Sequence, residues 1–228
     1  MVKIHLYIIR HGQSLENIGQ ATTPNCGLSP LGEVQSKLIA KFFGNMTINT
    51  IFCSPFRRVI QTASPLSDEK DVPIILIPEM SEIFTEFLGA PLKQHYPWEI
   101  SSQIIKEFPY SAFREPYTAN PNWWPKQWPE TMEHVRARIS MFYDNELQPL
   151  FTSNDHVVVF GHGASTDALK MKVCPDAQYP EIVETNAITF EYVLDANGNC
   201  SAYKTHLDFL GEHASPKSTG YGAFEPLR

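Results

Sequence analysis

Apolar and polar positions set out a regular series of elements along the first part of the chain. Residues 4–9, Ile4-His5-Leu6-Tyr7-Ile8-Ile9, form a short, nearly continuous apolar run with the length of a buried strand. After a loop rich in Gly, Thr, Pro and Asn, residues Leu31, Val34, Leu38, Ile39 and Phe42 recur at helical spacing. Ser29-Pro30 opens that helix, with Ser as N-cap and Pro at the first helical position, and Gly44 provides its stop. Residues 48–53 read as a second strand and 72–77 as a third. Between them, Ser54-Pro55 opens a helix running to about residue 66. Strand–helix–strand–helix–strand in this order predicts the α/β class.

The rhythm breaks over residues 83–130, which hold many prolines and aromatics, including Trp98, Trp123, Trp124 and Trp128. An irregular inserted subdomain lying over the sheet edge is expected there. Helical spacing returns over 132–150, with Val135, Ile139, Phe142 and Leu147 on one side. A strand at 156–160 follows, then a helix from about Ser165. Residues 188–194 and 201–207 flank Asp195-Ala196-Asn197-Gly198-Asn199, and Asn-Gly between strand-like runs predicts a hairpin on an antiparallel edge. The Ser-, Gly- and Pro-rich tail from about Ala214 is expected to be loosely held.

Composition narrows the function classes. With 228 residues, 43% of them hydrophobic, the chain can bury the core of one large domain. A net charge of -7 repels phosphate backbones and argues against nucleic-acid binding. A pocket of opposite local charge can still take a small anion. Cys26, Cys53, Cys174 and Cys200 match no zinc spacing and read as free thiols in a reducing compartment. No secretory leader pattern and no apolar stretch of roughly 20 residues appears, so a soluble cytoplasmic protein without membrane contact is expected.

The chemistry concentrates at three places. Arg10-His11-Gly12 follows the first strand, and Gly161-His162-Gly163 follows the run Val157-Val158-Val159-Phe160. In one parallel sheet, both histidines would emerge at the carboxyl edge, where ligands of open α/β sheets bind. A neutral imidazole is a competent nucleophile at phosphorus, and arginine offers forked donors to phosphate oxygens. The third place is Arg57-Arg58 in the first turn of the second helix. Cations there oppose the macrodipole, and a bound anion would remove the penalty. A protonated His162 could stabilise charge on a transferring phosphoryl group.

Taken in order, four segments resemble the histidine phosphatase superfamily, also called the phosphoglycerate mutase-like family. They are Arg10-His11-Gly12-Gln13-Ser14 with Asn17, Leu28-Ser29-Pro30-Leu31-Gly32 with Gln35, Ser54-Pro55 through Arg58 to Gln61-Thr62-Ala63, and Gly161-His162-Gly163. Pro129-Glu130-Thr131, leading into the helix that carries Arg138, is similar to the family's Gly-Glu-Ser helix start. Asn186 and His206-Leu207 are weaker echoes. The resemblance implies His11 as the phosphorylated nucleophile, with Arg10, Arg58 and His162 completing the phosphate pocket. Asn17, Ser14 and Gly163 become substrate-binding candidates, and Arg57 is left to the surface or the substrate. It implies hydrolysis with no metal and no organic cofactor.

A general acid must protonate the leaving oxygen. The family places a glutamate soon after the third strand, and Glu82 holds the matching place, with Glu79 and Glu86 as competitors. Beyond the acid the chain departs from the family, with Phe87-Leu88-Gly89-Ala90 in place of a Trp-Glu-Gly segment. The Asn-Glu-Arg-His-Tyr-Gly segment of cofactor-dependent phosphoglycerate mutases is absent, which favours hydrolysis. At least one insertion tryptophan is expected to line the pocket, most of them filling the insertion's own core. His5, His95, His134, His156, His206 and His213 lack metal-site spacing.

The expected architecture is a three-layer α/β/α sandwich of the phosphoglycerate mutase-like kind. It has a largely parallel sheet and a single domain over residues 1–228, with a cap insertion at about 83–130. The expected function is metal-independent phosphomonoester hydrolysis on a small phosphorylated metabolite through a phosphohistidine. The alternatives are a mutase-type phosphotransferase and a catalytically silent binding module. A homodimer is left open.

Overall fold

The apolar run that opens the chain becomes β1 (Ile4–Arg10), and its side chains divide between two cores. Ile4, Leu6 and Ile8 face one side of the sheet, and Tyr7 and Ile9 the other. A strand buried on both faces needs apolar residues at nearly every position, which accounts for the unbroken run. These elements belong to a computed structural model that describes residues 3–84, 101–120, 122–124, 128–151, 156–177 and 185–215.

Seven strands form one sheet: β1, β2 (Thr50–Cys53), β3 (Ile74–Leu76), β4 (Ser111–Phe113), β5 (His156–Gly161), β6 (Thr189–Leu194) and β7 (Cys200–His206). Their spatial order is β4-β3-β2-β5-β1-β6-β7. The first five pair in parallel, whereas β6 runs antiparallel to β1 and β7 antiparallel to β6. Helices α1 (Pro30–Phe42) and α2 (Arg57–Lys70) cover the face carrying Tyr7 and Ile9. Helices α4 (Met132–Phe142) and α5 (Gly163–Val173) cover the opposite face. The three-layer α/β/α sandwich and the antiparallel hairpin edge are therefore both present.

Local chemistry moves several boundaries. Ser29 caps α1 as expected, its hydroxyl accepting from the Gly32 amide. The buried stripe of α1 includes Gln35 and Ser36, and Val34 faces solvent. The stripe turns because the Gln35 amide accepts from the Gln13 N–H and donates to the His213 carbonyl and the Ser215 hydroxyl. Helix α2 starts at Arg57, later than Ser54-Pro55 suggested, and continues past residue 66 to Lys70. The helical run after α4 changes to a π turn (Tyr143–Leu147) and then a 3-10 turn (Gln148–Leu150), where Pro149 has no amide to extend an α ladder.

The segment expected to be irregular contributes regular structure. Helix α3 (Ser101–Glu107) leads into β4, which pairs in parallel with β3 and extends the sheet. A three-residue strand is too short for periodicity to reveal. Trp98 and Glu86 lie outside the described residues, as do residues 216–228 of the tail, while Ser215 is buried. Among the described residues, no helix is long and apolar enough to cross a membrane.

Candidate active site

Parallel pairing of β1 with β5 sets Arg10 beside Gly161, and pairing of β2 with β5 sets Cys53 beside Phe160. Each ladder then runs one step further. The His11 amide donates to the Gly161 carbonyl at 3.0 Å, and the Ser54 amide to the Phe160 carbonyl at 3.1 Å. Three residues that follow three different strands, His11, Ser54 and His162, thus stand at one level on the carboxyl edge of the sheet. The His11 and His162 rings meet edge to face, with centroids 5.2 Å apart.

His11 is buried, and its Nδ1 lies 2.7 Å from the Gly12 carbonyl. A carbonyl only accepts, so Nδ1 carries the proton and Nε2 keeps its lone pair. Burial, and then the Arg58 and Arg10 guanidiniums, hold the imidazole well below the usual histidine range. Both effects favour the neutral ring, with its Nε2 unprotonated. Its main chain is held as firmly, because the His11 carbonyl accepts from Asn186 Nδ2 at 3.2 Å and from the Ala187 amide at 3.1 Å.

His162 is fully buried. Arg58 Nη2 donates to its Nδ1 at 3.3 Å, and its Nε2–H donates to Ser54 Oγ at 2.9 Å. Burial, then Arg58 and further positive neighbours, push it well below the usual range. Burial first, and the arginines after it, thus favour the neutral ring over the protonated one considered from sequence. Phe56 floors this corner. Its ring packs edge to face on His162 at 4.8 Å, and the Arg58 guanidinium carbon sits 4.7 Å from its centroid.

Arg58 is anchored by the Pro24 carbonyl at 3.1 Å and faces Glu16 at 3.6 Å. Arg57 turns away from it and forms a forked ion pair with Glu107, both bonds 2.8 Å, while its Nη1 donates to the Asn25 carbonyl. The first arginine of the pair thus ties the loop before α1 to α3. The second faces the histidines.

Glu82 is buried within reach of the charges of Arg58 and Arg10. Its Oε1 accepts from the Ile83 amide at 2.9 Å and from the Ala164 amide at 3.3 Å. Desolvation raises its pKa, outweighing the two amides and the arginines, so the carboxyl holds its proton to higher pH than an exposed glutamate. A side chain at Gly163 would put its Cβ 3.9 Å from Glu82 Oε2 and 4.0 Å from the Arg10 guanidinium carbon, so this position lies between Glu82 and Arg10. The rival Glu79 is occupied elsewhere: Arg114 Nη2 donates to it at 2.8 Å and the Tyr117 hydroxyl at 3.2 Å.

The structure thus gathers Arg10, His11, Arg58, Glu82 and His162 around one point. Ser14 and Asn17 lie beside it and brace each other, the Ser14 amide and hydroxyl both donating to Asn17 Oδ1 at 3.0 Å. Asn186 Nδ2 donates to the same oxygen at 3.1 Å. Trp123 is buried one layer behind, packed on Phe56 at 5.6 Å, which is the core-filling role. Ser54, Phe56 and Asn186 were not read from sequence as site residues. Ser54-Pro55 carries a signal in the sequence, as the opening of a helix and as part of the family-like segment that runs to Ala63.

This arrangement and its fold define a histidine phosphatase class of site. The family model of the histidine phosphatase superfamily (branch 1) matches residues 6–186, and the chain belongs to that family. A probable phosphatase of Schizosaccharomyces pombe is 25% identical over 72% of this chain and 71% of its own length. A 2,3-bisphosphoglycerate-dependent phosphoglycerate mutase of Cytophaga hutchinsonii is 25% identical over 75% of this chain and 79% of its own. Among solved structures, YhfR of Bacillus stearothermophilus superposes with a TM-score of 0.61 at 17% identity, covering 87% of this chain and 95% of that one, a likeness of fold.

Proposed function

We propose that this protein hydrolyses phosphomonoesters of small metabolites through a phosphohistidine at Nε2 of His11, with no metal ion. Family membership and the relatives named above support phosphatase or mutase activity. The observation that carries the finer reading is the Nδ1–H bond from His11 to the Gly12 carbonyl. It leaves Nε2 unprotonated on a ring that the Arg58 and Arg10 guanidiniums act on.

In this reading His11 Nε2 attacks phosphorus while Arg10 and Arg58 take the negative charge of the transferring oxygens. Glu82 enters protonated and gives its proton to the leaving alkoxide. The bond to the leaving oxygen breaks as the N–P bond forms. Water then attacks the phosphohistidine, Glu82 accepts its proton, and inorganic phosphate leaves. A neutral His162, held by Ser54, donates no charge of its own and orients Arg58.

Phosphate release from a panel of phosphomonoesters in the presence of a chelator, wild type against His11→Ala, tests the reading. Chelator-resistant release that is lost in the variant is expected. Movement of phosphate between hydroxyls without release would favour the mutase chemistry of the Cytophaga relative. No turnover on any substrate would favour a binding module.

A further inference from the structure

Glu82 sits in a stretch, residues 81–84, that belongs to no helix or strand. Such a segment is mobile unless something ties its backbone down. The tie here is a partly buried ion pair between Arg138 of α4 and Glu130, just before that helix. Arg138 Nε donates to Glu130 Oε1 at 2.9 Å and Nη2 to Oε2 at 3.0 Å, a forked pair. The remaining donors reach the acid-bearing stretch. Arg138 Nη1 donates to the Glu79 carbonyl and, at 2.9 Å, to the Ser81 carbonyl, and Nη2 donates to the carbonyl of Glu82 itself at 3.1 Å. Glu130 completes the grip, accepting from the Phe84 amide at 3.0 Å, while its own amide donates to the Phe84 carbonyl at 2.8 Å.

One guanidinium and one carboxylate therefore hold the main chain before, at and after the glutamate. The Ile83 and Ala164 amides then only have to orient its carboxyl. A lysine could replace the charge but not the planar fork that reaches three carbonyls and a carboxylate together.

We propose that Arg138 and Glu130 are positioning residues for proton transfer, fixing the depth and direction of the Glu82 carboxyl relative to the leaving oxygen. This rests on the reading of Glu82 as general acid. Neither residue touches substrate. Their effect is confined to the step that needs a proton, and it shows as a dependence on leaving group.

The test compares full-length wild type, Arg138→Lys, Glu130→Gln and Glu82→Gln. Each is assayed on an alkyl phosphate, whose leaving group needs the proton, and on p-nitrophenyl phosphate, whose leaving group departs as a stable anion. Arg138→Lys is expected to lower kcat on the alkyl phosphate by about 10- to 100-fold, and on the aryl phosphate only a few-fold. KM should stay within about twofold for both. The alkaline limb of the alkyl phosphate pH profile should move to lower pH, as a loosened carboxyl gains solvent. Glu130→Gln keeps the shape and one acceptor and should show the same pattern more weakly, so it serves if the lysine variant does not fold.

Equal loss on both substrates with an unchanged pH profile in either variant overturns the proposal, because lost folded protein lowers both rates alike. If Glu82→Gln discriminates between leaving groups and the Arg138 and Glu130 variants do not, positioning fails while the acid stands. If Glu82→Gln itself does not discriminate, the acid reading fails and the positioning role falls with it.

Discussion

Glu16 Oε2 lies 3.6 Å from Nη2 of Arg58, placing a carboxylate against the buried guanidinium that faces both histidines. A phosphate dianion meeting Arg58 must work against this carboxylate. Glu16 is partly open to solvent, with 28% of its side chain exposed, so screening limits the effect. Glu16→Gln should tighten inhibition by inorganic phosphate and orthovanadate by about two- to tenfold at low salt, with the gain shrinking as salt rises. Unchanged or weaker inhibition would show that the pair does not oppose phosphate.

Under the proposed mechanism the pH profile follows from two opposite shifts. Attack needs neutral His11, whose pKa burial and the two arginines depress, so the acid limb of kcat/KM falls well below the usual histidine value of 6.5. Leaving-group protonation needs protonated Glu82, whose pKa burial raises above 4.5, so activity declines as pH rises through that raised value. A bell is expected for alkyl phosphates. In Glu82→Gln the alkaline limb should vanish, because an amide does not titrate, while the acid limb stays. Persistence of the same alkaline limb in that variant would assign it to another group.

The two His-Gly pairs were legible because each follows a strand buried on both faces, and such strands announce themselves as unbroken apolar runs. Parallel pairing then fixes His11 and His162 at one edge with no further information. Ser54 was harder. Its place before a proline fits a helix cap equally well, and only the β2–β5 register turns its hydroxyl toward His162. The neutrality of His162 was not legible at all. It follows first from burial and then from the charged neighbours, Arg58 foremost, which no linear spacing records. Glu79 and Glu82 differ by three residues and carry the same chemistry. The distinction between them comes from Arg114 and Tyr117, which lie more than thirty residues further along and claim Glu79.

Ser54 tests how much the tautomer of His162 matters. Its hydroxyl accepts the Nε2–H of a ring whose other nitrogen accepts from Arg58. Ser54→Ala strands that N–H in a buried place and releases the ring to tilt. The loss of one buried hydrogen bond, about 1–3 kcal/mol, predicts kcat lower by about 5- to 150-fold. Nitrogen NMR of labelled histidine should show a single His162 tautomer in wild type and a mixture in the variant. A single tautomer with undiminished kcat would remove Ser54 from the site.

Gly32 links the start of α1 to the loop after His11 through shape alone. A Cβ at this position would lie 2.0 Å from the Gln13 carbonyl oxygen, closer than any real contact. That oxygen already accepts from the Ser29 amide at 2.8 Å, and the Gln13 amide donates to Gln35. Backbone cannot yield as a flexible side chain would, so Gly32→Ala must push the helix start away from Gln13 or move Gln13 itself. Overpacking of this kind costs about 1–3 kcal/mol, sometimes more, and should lower Tm by roughly 2–10 °C. Gln13 follows Gly12, whose carbonyl fixes the His11 tautomer, so kcat should fall as well, by about tenfold or more. A variant with wild-type Tm and kcat would mean that the loop absorbs the methyl without moving His11.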